Sequence, residues 1–235
     1  MKPVRSPSPG SSLRKGGIDM RLTLSVTRFD PQTDAEPYRR GYPIDWERHE
    51  TVLDLLLQAR RLDPSLAFRR SCRSGICGSC AMHIGDHSRL ACQTLVREVT
   101  QDGGSLSIEP LPGFRQIKDL VVDMDPFFAA LTRVLPWVIP GEHHNGLISP
   151  EDAEPIESPA TCILCGVCDA EAPQTGAVLP AALVKNLRLA VDPRDALGLQ
   201  RMKIAGLTEE GLHTFRELLP SLCPKGIKLP VVAME

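Results

Sequence analysis

Nowhere in its 235 residues does this chain hold the roughly 20 consecutive apolar residues that cross a bilayer, and prolines such as Pro136 and Pro140 break its longest apolar stretches. A membrane span is not expected. A basic surplus is lacking too. The net charge is −2 with both signs interspersed, which leaves out the concentrated positive surface that nucleic acid demands. There is no GxSxG, Walker or dinucleotide fingerprint, so nucleotide chemistry is not expected in this chain. No internal repeat at a solenoid period occurs. Residues 1–19 are basic and rich in Ser, Pro and Gly but lack the apolar centre of a secretory signal. They read as a disordered tail, or as the consequence of a start codon upstream of Met20, with a transit peptide as the alternative.

What remains is ordinary globular material, 42% hydrophobic and 24% charged, in a length that accommodates two domains. The informative residues are eight cysteines in two sets of four: Cys72, Cys77, Cys80 and Cys92, then Cys162, Cys165, Cys168 and the distant Cys223. Four thiolates are what one iron-sulfur cluster takes. Disulfides are disfavoured by the tight spacing and the missing export signal. The first set has nearly the plant-type C-x4-C-x2-C pattern of a 2Fe-2S centre, with Gly75 and Gly78 freeing the loop to aim backbone N–H groups at sulfur. The second set, CILCGVC plus Cys223-Pro224, suits a 4Fe-4S cubane; where a bacterial-ferredoxin run continues to a fourth cysteine before proline, this chain has Ala172-Pro173. In two-cluster ferredoxins that cysteine ligates the neighbouring cluster, so its loss argues that no such neighbour is held. A zinc site is the alternative for each set.

The pattern of apolar residues predicts an α+β unit followed by an all-α one. RLTLSVTRF after Met20 alternates as a half-buried strand, and a second strand fits Gly41 to Glu47. Thr51 and Asp54 form a capping-box signature for a helix that Asp63-Pro64 ends. Ala81 to Ile84 and Ser88 to Ala91 flank the Gly85-Asp86 turn, and Leu106 to Ile108 adds a further strand. That order suits a β-grasp domain among other α+β folds. A proline-rich join follows, with one helix around Pro126 to Leu135. Helices are then expected over Ala181 to Ala190, Arg194 to Ala205 and Thr208 to Leu219. The expected division is a tail over 1–19, a 2Fe-2S domain over 20–115, a connection over 116–160 and a helical 4Fe-4S domain over 161–235.

Several separated blocks carry a family resemblance: LAFRRSCRSGICGSCAM (66–82), LAC (90–92), IKDLVVDMDPFF (117–128), CILCGVC, DPRD (192–195) and CPKGI (223–227). From Met20 to Lys228 the chain resembles the iron-sulfur subunit of succinate dehydrogenase and fumarate reductase. The resemblance implies a β-grasp 2Fe-2S ferredoxin-like domain, a helical ferredoxin-like domain and a flavoprotein partner whose FAD exchanges electrons with a dicarboxylate. FAD would belong to the partner alone. Three cysteines that in the family hold a third centre, 3Fe-4S, fall on Ala172, His213 and Leu219, so that centre is expected to be absent. Ala172 and Leu219 should fill the vacated volume. His213 should be a surface or satisfied residue. The family's tryptophan-containing quinone segment is replaced by a shorter QTGAVLP, so neither His213 nor Thr214 is carried over as a quinone ligand.

The expected role is a non-catalytic electron-transfer subunit. It would relay electrons between an FAD-containing flavoprotein and either a membrane-anchor subunit or a soluble acceptor. Its expected place is cytoplasmic, held peripherally at the inner face of the cytoplasmic membrane through partner subunits. A free-standing ferredoxin-like carrier is the alternative. Arg69 and Arg70 read as solvated arginines with a partner contact as the sharper alternative, and His143-His144 reads as an exposed loop.

Overall fold

The computed structural model describes residues 20–141, 146–172, 179–206 and 208–232; the amino-terminal segment, His143-His144 and the QTGAV stretch lie outside these. The first half is a five-stranded mixed sheet. β1 (Met20–Arg28) pairs antiparallel with β2 (Tyr38–Trp46), from Met20 opposite Trp46 to Arg28 opposite Tyr38. Their alternation buries Leu22, Leu24 and Val26 on one strand and Tyr42, Ile44 and Trp46 on the other. α1 (Val52–Leu62) starts at the capping box read from sequence: the Thr51 N–H donates to Asp54 Oδ2 at 2.9 Å, and the Asp54 N–H to Thr51 Oγ1 at 3.3 Å. Such a cap contributes about 1 kcal/mol. The helix buries Val52, Leu53, Leu55, Leu56 and Ala59 in the sheet's core.

β3 (Ala81–Ile84) and β4 (His87–Leu90) form the expected hairpin, and a single turn, α2 (Val96–Val99), leads to β5 (Ser105–Glu109). β5 lies between β1, to which it is parallel, and β3, to which it is antiparallel, giving the order β2-β1-β5-β3-β4. A parallel central pair needs a long crossover, which α1 and the β3-β4 hairpin supply. β6 (Gln116–Lys118) and β7 (Val121–Val122) make a small hairpin whose Leu120 and Val122 join the same core.

The second half is helical: α3 (Asp125–Arg133), α4 (Pro150–Ala160), α5 (Val167–Glu171), α6 (Pro180–Ala190), α7 (Gln200–Ile204) and α8 (Glu209–Leu222). α6 is its centre, buried at Ala181, Ala182, Leu183, Val184, Leu187, Leu189 and Ala190. α4 was hidden by its prolines, yet Pro150 opens it behind an N-cap in which Ser149 Oγ accepts from the Asp152 N–H. α7 is shorter than the expected Arg194 to Ala205. Asp192 and Asp195 take the N–H groups of Arg194 and Leu197 into side-chain turns, which delays the helix. Thr208 caps α8 as expected. Among the described residues no helix is long and apolar enough to cross a membrane.

The two cores meet at the cysteine loops. Cys165 and Val167 pack into the first core while Cys168 and Ala172 pack into the second, and Phe114 and Met124 touch both. Glu171 fastens the join, its Oε1 accepting from the Ser88 N–H at 2.7 Å.

Candidate cysteine ligand sites

Each loop of the first set is held by a named anchor. The N–H groups at the start of α1, which have no partner within the helix, donate outward: Val52 to Thr94 O at 2.9 Å and Leu53 to Ala91 O at 3.0 Å. They pin the segment bearing Cys92. The Ala91 N–H reaches Cys80 O at 3.0 Å, so Cys80 and Cys92 are tied together. The segment ahead of Cys72 hangs on buried Asp119, whose Oδ1 accepts from Arg28 Nε and whose Oδ2 accepts from the Ala67 N–H at 2.7 Å. Arg28 also donates to Asp63 and Tyr42, making one buried polar network under the loop.

Within the loop, amides converge on sulfur. Cys72 Sγ accepts from the N–H groups of Ser74 and Ile76 at 3.4 Å and of Cys77 at 3.2 Å. The Ser74 and Ile76 amides lead in holding the exposed Cys72 thiol down at about 6. Cys77 Sγ receives the Cys72 N–H at 3.5 Å and stands 3.1 Å from Ser79 Oγ. Cys72 and Cys77 are exposed, whereas Cys80 and Cys92 are buried, and burial pushes Cys80 up to about 12. The donor set therefore fits a group that draws negative charge onto the outer sulfurs, as thiolate-held iron does.

The second set is enclosed instead. Cys162, Cys165, Cys168 and Cys223 line one cavity walled by apolar side chains such as Leu164, Val184, Leu219 and Ile227. α8 ends at Cys223, whose N–H closes the last turn on Leu219 O, and Pro224 turns the chain away. Leu164 adopts a left-handed φ of 54°, an uncommon conformation for a non-glycine residue, between Cys162 and Cys165. Burial pushes Cys165 up to about 11 and Cys168 well above its ordinary value. Protons must leave these sulfurs as metal binds, and a cation in the cavity offsets the buried charge. Lys185 Nζ donates to Cys162 O at 3.4 Å from α6.

The two loops touch. Gly78, at φ +71°, lies so near the second loop that an added Cβ would stand 2.8 Å from Cys165 Cβ and 3.0 Å from Ile163 O. Only glycine allows that approach. Among the described residues, no three His, Cys, Asp or Glu side chains converge closely enough to hold a single metal ion.

Three positions lack cysteine and differ in setting. Ala172 and Leu219 are buried in the helical core, while His213 is exposed and stands 3.7 Å from Glu217 on α8. Arg69 and Arg70 are exposed, and Arg69 borders a groove containing Cys77 and Cys165. Sequence reasoning did not single out Ser79 or Lys185; a hydroxyl two residues from Cys77 in a glycine-rich loop was the available signal for the former.

A family described as a 2Fe-2S iron-sulfur cluster binding domain matches residues 23–129. The mitochondrial succinate dehydrogenase [ubiquinone] iron-sulfur subunit of Dictyostelium discoideum is 33% identical over 89% of this chain and 79% of its own length. The fumarate reductase iron-sulfur subunit of Haemophilus influenzae is 32% identical over 88% of each chain. Among solved structures, a chain of the Mycobacterium smegmatis Sdh1 complex in the apo form superposes with a TM-score of 0.75 at 24% identity, covering 89% of this chain and 90% of that one. That last likeness speaks for the fold.

Proposed function

This chain belongs to the family of succinate dehydrogenase and fumarate reductase iron-sulfur subunits, electron-transfer members of oxidoreductase complexes, and from that premise we propose the residues and route by which it works. Cys72, Cys77, Cys80 and Cys92 hold a 2Fe-2S centre; Cys162, Cys165, Cys168 and Cys223 hold a 4Fe-4S centre. When bound, the clusters supply one-electron transfer that no side chain here can perform. The protein's own work is ligation, hydrogen bonding to sulfur and exclusion of water, which together set potentials. The single observation that carries this reading is the contact of the two ligand loops at Gly78 and Cys165, which brings the two tetrads within one short path.

The proposed division of labour is a β-grasp 2Fe-2S domain over 20–115, a connection over 116–160 whose Leu120 and Val122 pack in the first core and Phe127 and Leu131 in the second, and a helical domain over 161–235. Electrons pass between the FAD of a flavoprotein subunit and an acceptor in solution or on a membrane anchor, the latter placing the otherwise cytoplasmic chain at the inner face of the cytoplasmic membrane. No substrate bond is made or broken on this chain, and nucleic acid is not a partner. A third, 3Fe-4S centre is absent, a reading supported by Ala172 and Leu219 filling the helical core with apolar side chains.

Iron and labile sulfide analysis with electron paramagnetic resonance tests this. About six irons per chain in two spectroscopically distinct centres is the expected result. About nine irons with a trinuclear signal would restore the third centre, and a colourless preparation containing zinc would replace both assignments with structural sites. The filled third position also favours the second reading, a free-standing carrier. Repeated co-purification with an FAD protein supports the subunit; a monomeric, FAD-free chain that takes electrons from a soluble reductase supports the carrier.

A further inference from the structure

We propose that the Ser79 hydroxyl donates a hydrogen bond to the Cys77 thiolate and so raises the reduction potential of the centre held by the first four cysteines. This rests on the assignment of that tetrad to a 2Fe-2S centre. Ser79 Oγ lies 3.1 Å from Cys77 Sγ, where either atom could donate in a metal-free chain. A metal-ligating cysteine has no proton to give, so ligation leaves the hydroxyl as the donor. The Cys72 N–H reaches the same sulfur at a longer 3.5 Å.

The position is built by the loop. Gly78 separates the two residues at φ +71°, and its close approach to Cys165 holds Ser79 where its side chain meets Cys77. Cys72, by contrast, is served by backbone amides of Ser74, Ile76 and Cys77, which every residue at those positions would provide. Ser79 is the side chain in this set of sulfur contacts that can be changed without altering the backbone. One electron is gained and no bond to hydrogen breaks: the proton stays on Oγ. The sulfur carries more negative charge afterwards, so it accepts the bond more strongly, which favours the electron-rich state. Ser79 is thus a tuning residue, acting through Cys77.

The test is a potentiometric titration, followed by electron paramagnetic resonance, of the iron-loaded full chain carrying Ser79→Ala, Ser79→Thr or Ser79→Val. Thr and Val share one shape and differ by the hydroxyl, so this pair decides the matter even where Ser79→Ala fails to load. Ser79→Ala and Ser79→Val should lower the first centre's midpoint by the equivalent of roughly tenfold in the one-electron equilibrium, about 59 mV. Ser79→Thr should keep the wild-type value, and the second centre should stay unmoved in all three. Equal midpoints for Thr and Val in iron-replete chains would overturn the proposal while leaving the 2Fe-2S assignment standing. A wild-type chain without a 2Fe-2S signal would overturn both.

Discussion

Cys72 and Cys77 stand exposed on a loop whose amides point at their sulfurs, whereas Cys165 and Cys168 are buried against helices and apolar side chains. Both sets supply four thiolates, but they deal with the charge differently. In the first, backbone dipoles and solvent stabilise the outer thiolates before any metal arrives. In the second, burial opposes ionisation, so the metal's own charge must compensate. A tetrad with two of its four cysteines, Cys72 and Cys77, at the surface suits exchange with a partner there. An enclosed one suits passage through the interior, and it couples metal binding more tightly to folding.

The strongest way to break this comparison is to remove one ligand from each set. Cys223→Ala should abolish the second centre and unfold much of the helical half, because coupled metal binding reaches about 10–16 kcal/mol in small metal domains and Cys223 joins the end of α8 to the 162–168 loop. Cys72→Ala should abolish the first centre while leaving the sheet folded, since the network of α1, β1 and β5 does not depend on that thiol. Iron analysis with circular dichroism and thermal unfolding reads both. Equal loss of structure in the two variants would contradict the contrast.

Each half also carries one buried arginine anchor, and these should fail alike. Arg28→Ala leaves buried Asp119 without its cation and Asp63 with only the half-exposed Arg40, and Arg201→Ala leaves buried Asp195 without its cation, at about 3–5 kcal/mol each in urea denaturation. The pH dependence has a definite sign. Burial opposes ionisation of Asp63, but hydrogen bonds from Ser65, Tyr42 and Arg28 outweigh it and hold the carboxyl well below its usual range; burial of Asp195 is likewise outweighed by Arg201 and the Ile139 N–H. With folded values depressed, their stabilisation is present above the unfolded carboxylate value of about 3.9 and is lost as pH falls below it. Acid should therefore narrow the difference between wild type and either alanine variant.

A smaller effect belongs to the contact between the loops. Gly78→Ala adds a Cβ where Cys165 Cβ would be 2.8 Å away, at a φ of +71° that L side chains rarely adopt. The cost should be about 1–3 kcal/mol in thermal unfolding, accompanied by weaker magnetic interaction between the two centres. An unchanged interaction would mean that the loops do not set the path between the tetrads.

Much of this arrangement was legible in the sequence where the cause is local. The Thr51–Asp54 box announces α1 because both partners lie within one turn, and Leu22, Leu24 and Val26 announce β1 by alternation. The cysteine spacing divides the eight thiols into two sets, and the four of the second set line one cavity. What was hidden depends on distant partners. Asp195 spends its carboxylate on Arg201 Nε and Nη2 and on the Ile139 N–H, so the chain there turns instead of continuing as helix. Pro155 and Pro159 speak against α4, whose stability comes from packing Ile156 and Pro159 inward. No local pattern reports that Gly78 will meet Cys165, since that contact arises only when sheet and helices dock.

The finest test of the contrast uses thiol chemistry alone. In a metal-free chain, the Ser74 and Ile76 amides hold Cys72 down at about 6, so thiolate predominates at neutral pH. It is exposed as well. Burial holds Cys165 at about 11 and Cys80 at about 12, which leaves both protonated and shielded at the same pH. Iodoacetamide should therefore label Cys72 first, with a rate that climbs as pH rises through 6 and levels off by about 8, while Cys165 and Cys80 stay unlabelled until the solution is strongly alkaline. The sign for stability matches: a thiol whose folded value is depressed stabilises the loop above the unfolded value of about 8.5, and that support fades as pH falls through 6. Peptide mapping across pH 5 to 9 reads the order directly. If Cys165 were alkylated as fast as Cys72 at pH 7, the second loop would be open to water in the absence of metal, and enclosure could no longer explain why the two tetrads differ.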